Sequence, residues 1–185
     1  MMYRVFLLSP AHSGGKRAQI LMNDRATFPL AERLRGEGVS IGEAFAFLSG
    51  LYFRGKLAYA ERFARPPRGV PGTLVITANR GLLPASTPVR PADLRDFGTV
   101  DIRADDPRYR EPLERDVRRY AGRKTEVVLL GSVATGKYVD VLGEILGERL
   151  LYPAEFLGRG DMSRGALLLR AVREGRELEY RAVGR

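Results

Sequence analysis

Three short apolar runs constrain the fold of this chain more than any other feature. Val5-Phe6-Leu7-Leu8, Leu74-Val75-Ile76 and Val127-Val128-Leu129-Leu130 are aliphatic or aromatic with almost no polar alternation. Strands of this kind are buried on both faces, the condition found inside a parallel sheet covered by helices. The intervening segments carry helical spacing, and Leu150-Leu151-Tyr152 offers a fourth strand. The expected fold is therefore α/β: a single domain over 1–185 with a mostly parallel central sheet of about four core strands flanked by helices. A length of 185 residues fits one core and is short for two.

Helices are expected over Lys16 to Met22 and Leu30 to Arg35, then from Ser40, where Ser40 and Glu43 fit a capping box. With a helix over Leu51 to Phe63 these form a helical hairpin insertion after the first strand, spanning about 28–65. Arg108 to Tyr120, Tyr138 to Leu146 and Met162 to Arg173 give three more. The stretch from Leu82 to Pro107 carries Pro84, Pro88, Pro91 and Pro107 and reads as an irregular covering loop at about 82–107. Loops of that length are uncommon unless they cover a site or bind something.

Composition narrows the chemistry. The absence of cysteine excludes disulfides and thiolate nucleophiles, and a single histidine excludes multi-histidine metal centres. Any metal would have to sit on carboxylates, and no cofactor is indicated. No apolar run approaches the ~18–20 residues that span a bilayer, and the start lacks a signal-peptide pattern, so a cytoplasmic location without a membrane partner is expected. The formal charge of +9 favours a polyanionic partner, nucleic acid or nucleotide, through counterion release. With 27 Arg against 4 Lys, a GC-rich genome would produce the same skew.

In open parallel sheets ligands bind beyond the carboxyl ends of the strands. Here those ends are polar and rich in glycine: Ser9 to Arg17 after the first strand, Ala78 to Leu83 after the second, Gly131 to Tyr138 after the third, Pro153 to Gly165 after the fourth. If they converge, Lys16, Arg17, Arg80, Lys137, Arg159 and Arg164 surround one crevice, with hydroxyls from Ser9, Ser13, Ser132, Ser163 and Tyr138. Gly14 and Gly15 let backbone amides approach a phosphate, and Asn79 is placed to read a base edge. His12 is the candidate for proton transfer near neutrality, with Glu155 and Asp161 as alternative acids. Ordinary turn and cap chemistry explains each of these loops taken singly.

Named motifs fit poorly. Ser13-Gly14-Gly15-Lys16-Arg17 lacks the glycine spacing and hydroxyl of a Walker A loop, and matches only the first half of the Ser-Gly-Gly-x-Asp-Ser loop of ATP pyrophosphatases. Asp105-Asp106 reads as a helix cap rather than a metal pair. Leu34-Arg35-Gly36-Glu37-Gly38 matches the turn of a helix-hairpin-helix, whose amides hold a DNA phosphate; a plain helical connection accounts for the same residues.

The order of segments resembles the YaaA-type peroxide-stress family and its shorter relatives. Ser9-Pro10-Ala11 is similar to that family's opening segment, and Gly50-Leu51-Tyr52 to Arg62-Phe63 to its helix ending in Ala-x-Arg-Phe. Ala78 to Pro84, continuing to Arg90-Pro91-Ala92-Asp93-Leu94, resembles its Tyr-Gly-Leu-Leu-x-Pro segment. Gly131-Ser132 through Tyr138 sits at its Ser-x-Glu-Tyr-Phe element, with Lys137 in place of the acidic residue. Arg159-Gly160-Asp161-Met162-Ser163-Arg164 resembles its Ala-Arg-Gly-x-Met-Ser-Arg. The resemblance implies DNA binding, protection against oxidative stress and an α/β body with a helix-hairpin-helix-like element.

Three functions remain open on the residues: a nucleic-acid-binding protein, acting or not on a base drawn into the crevice; a small-molecule enzyme holding a nucleotide or phosphorylated metabolite on the Ser-Gly-Gly-Lys loop; and a non-catalytic interaction protein.

Overall fold

In the computed structural model, which describes residues 1–122 and 124–184, the three apolar runs form the centre of one sheet. The elements are, in order, β1 (Tyr3–Leu8), α1 (Lys16–Leu21), α2 (Pro29–Arg35), β2 (Val39–Ser40), α3 (Ile41–Ser49), α4 (Leu51–Phe63), β3 (Thr73–Ile76), β4 (Leu82–Pro84), β5 (Pro88–Val89) and α5 (Pro91–Phe97). They continue with α6 (Pro107–Val117), β6 (Thr125–Leu130), α7 (Gly136–Leu146), β7 (Leu150–Pro153), α8 (Asp161–Glu174) and β8 (Tyr180–Ala182). The sheet runs β4-β3-β1-β6-β7-β8. Neighbours among β3, β1, β6 and β7 are parallel, and β4 and β8 close the edges antiparallel.

Successive strand residues point to opposite faces. Phe6 and Leu8, with Val75, Val128 and Leu130, pack on the side that holds Phe45, Phe53, Tyr59 and Leu168. Val5 and Leu7, with Leu74, Ile76, Val127 and Leu129, pack on the other, against Tyr109, Leu113, Val141 and Leu142. Helices α3, α4 and α8 thus cover one face, and α6 and α7 the other. Burial on both sides explains why the runs show no alternation, and each fully buried aliphatic side chain contributes about 1.5–3 kcal/mol.

The sheet has six strands where about four are expected. The additions are the three-residue edges β4 and β8, while β2 and β5 form a separate two-stranded ribbon. The span 82–107 is also more ordered than a covering loop, since it holds β4, β5 and α5. Its prolines are compatible with this. Pro84 lies on the edge strand, where a missing donor is tolerated. Pro91 opens α5, where its N–H would be unpaired in any case, and Asp93 caps that end by accepting from the Arg90 N–H at 2.8 Å. At α6 the N-cap is Asp106 itself, whose side chain accepts from the Arg108 N–H.

Two close approaches position the site. α4 and α8 cross with backbone in contact: a Cβ on Gly55 would lie 2.8 Å from the Gly165 carbonyl oxygen, and one on Gly165 would lie 2.9 Å from that of Leu51 and 3.0 Å from Tyr52 Cα. The first turn of α8 is thereby held beside Tyr52. The second approach is at the end of β6, where a Cβ on Gly131 would lie 2.9 Å from Ser9 Cβ, so the loops leaving β1 and β6 lie against each other. Among the described residues no helix is long and apolar enough to cross a membrane.

Candidate functional site

From β1 the chain moves to β3 on one side and then returns past β1 to β6 on the other. Such a reversal splays the connections apart and leaves a crevice at the carboxyl ends of the two inner strands. A cavity of about 370 Å³ lies here, lined by Pro10 to Gly14 after β1, Ala78 after β3, Phe97 at the end of α5 with Gly98 and Val100 to Ile102 after it, and Lys137 and Tyr138 at the start of α7, with Phe45 of α3. Its lining is part apolar and part polar. Phe45 and Phe97 meet edge to face at 6.1 Å, and Tyr138 is buried. Its rim is polar, with His12, Ser13, Asp101 and Lys137. The Tyr109 hydroxyl fixes the α7 entry by donating to the Lys137 carbonyl at 2.6 Å.

The glycine pair serves the histidine. A Cβ on Gly14 would come within 3.4 Å of His12 Cε1 and Nε2, and one on Gly15 within 3.4 Å of Cδ2. The imidazole therefore folds back over its own loop, exposed to solvent. Ser13 faces the turn at Gly98.

The cleft brings together His12, Ser13, Gly14, Lys137 and Tyr138 from the expected set, with Ser9 behind them. The six-cation ring does not form. Arg17 turns away to donate to the Phe47 carbonyl at 2.8 Å. Arg80 pairs with Asp93 and Asp96 at 2.7 and 2.9 Å and lies over the Phe97 ring. Asn79 donates to Asp96, because Asn79-Arg80-Gly81 is the turn of the β3–β4 hairpin and not a free strand end. Ser132 accepts from the Ala134 N–H in its own turn. Gly15 caps α1, and Lys16 points to solvent outside the cleft lining. Arg159 donates to Ser163 and lies 3.9 Å from Glu155, so these three form a surface cluster ahead of α8. The Gly36-Glu37-Gly38 turn is no open amide cradle either. Gly36 and Gly38 donate to Glu32 and Arg33 carbonyls, and the Val89 carbonyl closes over Gly38.

Sequence reasoning missed Lys56. It lies on α4 at 2% exposure, and its Nζ donates to both the carbonyl and the hydroxyl of Ser9 at 2.8 Å. The Ser9 hydroxyl in turn reaches the Leu130 carbonyl at 3.2 Å. The amine thus ties α4 to the ends of β1 and β6. It sits 4.2 Å from the Tyr52 ring centroid and 5.0 Å from that of Phe53. No carboxylate forms an ion pair with it among the described residues. Burial pushes the amine down to about 7, with Asp161 acting to raise it and Arg164 to lower it further. The signal was present: Phe53, Lys56, Ala60 and Phe63 recur at helical spacing, which places the lysine on the buried face.

Around Lys56 stand groups from three helices. Arg164 of α8 anchors its guanidinium on the Phe156 carbonyl at 3.2 and 3.1 Å and over the Phe156 ring. The Tyr52 hydroxyl is buried without a hydrogen bond of normal geometry. Burial raises its pKa, while the neighbouring Arg164 opposes the rise and Asp161 adds to it. Tyr138 of α7 is also raised, by burial and then by Tyr52 and Asp161. Tyr138 thus lines the cleft and also feels the charges of Tyr52 and Asp161 in the Lys56 cluster. Among the described residues no group of three or more potential metal ligands occurs. No family model, curated protein or solved structure matches this chain.

Proposed function

We propose that this protein binds a nucleotide unit at the carboxyl ends of β1 and β6, with the base against Phe45 and Phe97. The observation that carries this reading is the cleft at the strand-order reversal, with Phe45, Phe97 and Tyr138 in its lining and a rim of His12, Ser13 and Lys137. Its volume of about 370 Å³ falls at the lower end of the roughly 300–1,000 Å³ usual for small-ligand sites. Aromatic walls suit a base of any identity, because every base has a π-face.

The formal charge of +9 favours presentation of that unit within a nucleic-acid strand over a free nucleotide. A strand would add phosphate contacts on exposed cations such as Lys16 and Arg159. The ordered motifs resembling the YaaA-type family extend this proposal to a DNA partner and a role in peroxide-stress protection in the cytoplasm. His12 is the rim group available for proton transfer if the bound base or sugar reacts.

The test is a titration of labelled single-stranded DNA and RNA across ionic strength, with mononucleotides as competitors. Binding that weakens steeply with salt and is displaced by a mononucleotide supports the strand reading. A thermal shift with a mononucleotide and no polymer binding supports the free-nucleotide reading. Absence of both at low ionic strength removes the proposal.

A further inference from the structure

We propose that Lys56, Arg164 and the Tyr52 hydroxyl, together with the opening turn of α8, form a phosphate subsite on the far side of Tyr138 from the cleft. This places the phosphate away from the glycine-lysine loop, and it rests on the reading of the cleft as a nucleotide site.

Three independent features converge on this point. The first is a buried cation without a carboxylate partner among the described residues. A charged amine in that position is costly unless something offsets it, and Ser9 supplies only neutral acceptors. The second is the Tyr52 hydroxyl. The residue is 8% exposed, its oxygen makes no hydrogen bond of normal geometry, and the groups acting on it are the Arg164 guanidinium beside it and Asp161, both from the first turn of α8. An incoming acceptor would give this buried hydroxyl the well-aligned hydrogen bond that it lacks. The third is α8 itself, a 14-residue helix whose N-cap is Gly160 and which receives no side-chain cap. Its leading amides and positive dipole end are left for an anion.

Asp161 is exposed and Arg164 half-buried, and the proposed approach of the anion runs along the start of α8 toward Lys56. A tetrahedral dianion entering there would accept from Arg164 and Tyr52 over the positive charge of Lys56. Asp161 is the one unfavourable charge. The segment carrying these α8 residues, Arg159 to Arg164, is placed by the backbone contact of Gly165 with Leu51 and Tyr52.

Anion binding would be linked to protonation of Lys56. The groups facing the amine are Ser9 after β1, Tyr52 and Phe53 on α4, and Asp161 and Arg164 on α8, with Tyr138 of α7 beyond Tyr52. Of these, Asp161 is the one carboxylate. The amine titrates at about 7 in the free protein, so a bound dianion would raise it. Above that pH, affinity should fall by up to about tenfold per pH unit as each binding event takes up a proton.

The experiment is calorimetric titration of sulfate, a dianion whose own charge is constant over about pH 6 to pH 9, into the full chain and variants. The wild type is expected to bind sulfate, taking up a proton above about pH 7. Tyr52→Phe, which removes only a hydroxyl without a hydrogen bond of normal geometry and should leave the fold intact, is expected to weaken binding about threefold or more. Lys56→Met is expected to weaken it about tenfold and to abolish the proton uptake. Asp161→Asn is expected to tighten it. Sulfate affinity that is independent of pH, or unchanged in both Tyr52→Phe and Lys56→Met, overturns the subsite, as does acetate binding as well as sulfate. The two proposals fail separately. If nucleosides bind as tightly as nucleotides, the subsite is wrong and the cleft stands; if sulfate binds and no nucleotide does, the cleft is wrong and the subsite stands.

Discussion

Replacing Gly165 by alanine tests the helix crossing on which the site depends. The added methyl carbon would lie 2.9 Å from the Leu51 carbonyl oxygen and 3.0 Å from Leu51 C and Tyr52 Cα. All three are backbone atoms that cannot swing aside, so the helices must part by several tenths of an ångström. Overpacking of this kind costs about 1–3 kcal/mol. Alanine recovers about 1 kcal/mol in helix propensity, leaving a net loss of about 0–2 kcal/mol and a fall in Tm of up to roughly 8 °C. Gly143→Ala in α7 is the control, because a Cβ there meets nothing within 4 Å; it should gain about 0.5–1 kcal/mol. Urea unfolding followed by circular dichroism reads both. Separation of α4 from α8 also displaces Arg164 from Tyr52, so Gly165→Ala should weaken sulfate binding while Gly143→Ala leaves it unchanged. A Gly165→Ala protein as stable as Gly143→Ala would refute the backbone contact.

Three further outcomes are expected. Lys56 titrates at about 7 when folded against 10.5 unfolded, so the folded state binds fewer protons between these values. Wild-type stability should therefore rise by roughly 2–3 kcal/mol from about pH 7 to about pH 9.5, before the tyrosines titrate. Lys56→Met should remove that rise, and parallel pH profiles for the two proteins would contradict the buried amine. Gly81→Ala should cost at least ~3 kcal/mol in urea unfolding, because Gly81 has φ +64° and a Cβ would meet the Asp116 carboxylate and lie 2.6 Å from the Pro112 carbonyl oxygen; a loss under ~1 kcal/mol would show that the turn can relax. Lys137→Ala should weaken mononucleotide binding about three- to tenfold, as for a rim cation, whereas Arg17→Ala, whose guanidinium is held by Phe47, should leave it unchanged. The reverse order would place the ligand on the other side of the glycine loop.

The sheet was legible because burial on both faces leaves a local mark. Val127 to Leu130 read as a strand without knowledge of any partner. Pro88-Val89 carries no such mark and becomes β5 only by pairing with Val39-Ser40, almost fifty residues away in the chain. Helix α5 was hidden by its prolines, although Pro91 followed by Asp93 is itself a start signal.

The site was harder to read. The cations at the strand ends were visible, but their partners were not: Arg80 is neutralised by Asp93 and Asp96, and Arg17 is held by the Phe47 carbonyl. Counting charges in loops therefore overstated the anion-binding surface. Lys56 was open to detection from spacing alone, yet its meaning depends on Ser9, 47 residues earlier. The Gly55–Gly165 contact that brings Asp161 and Arg164 beside Tyr52 leaves no trace in either segment by itself.

A crystal structure with adenosine monophosphate is the most direct test of the site. The base is expected against Phe45 and Phe97, with the phosphate reaching past Tyr138 toward Tyr52 and Arg164. A nucleotide ordered instead on Lys16 and Arg17, with the aromatic cleft empty, would contradict the assignment.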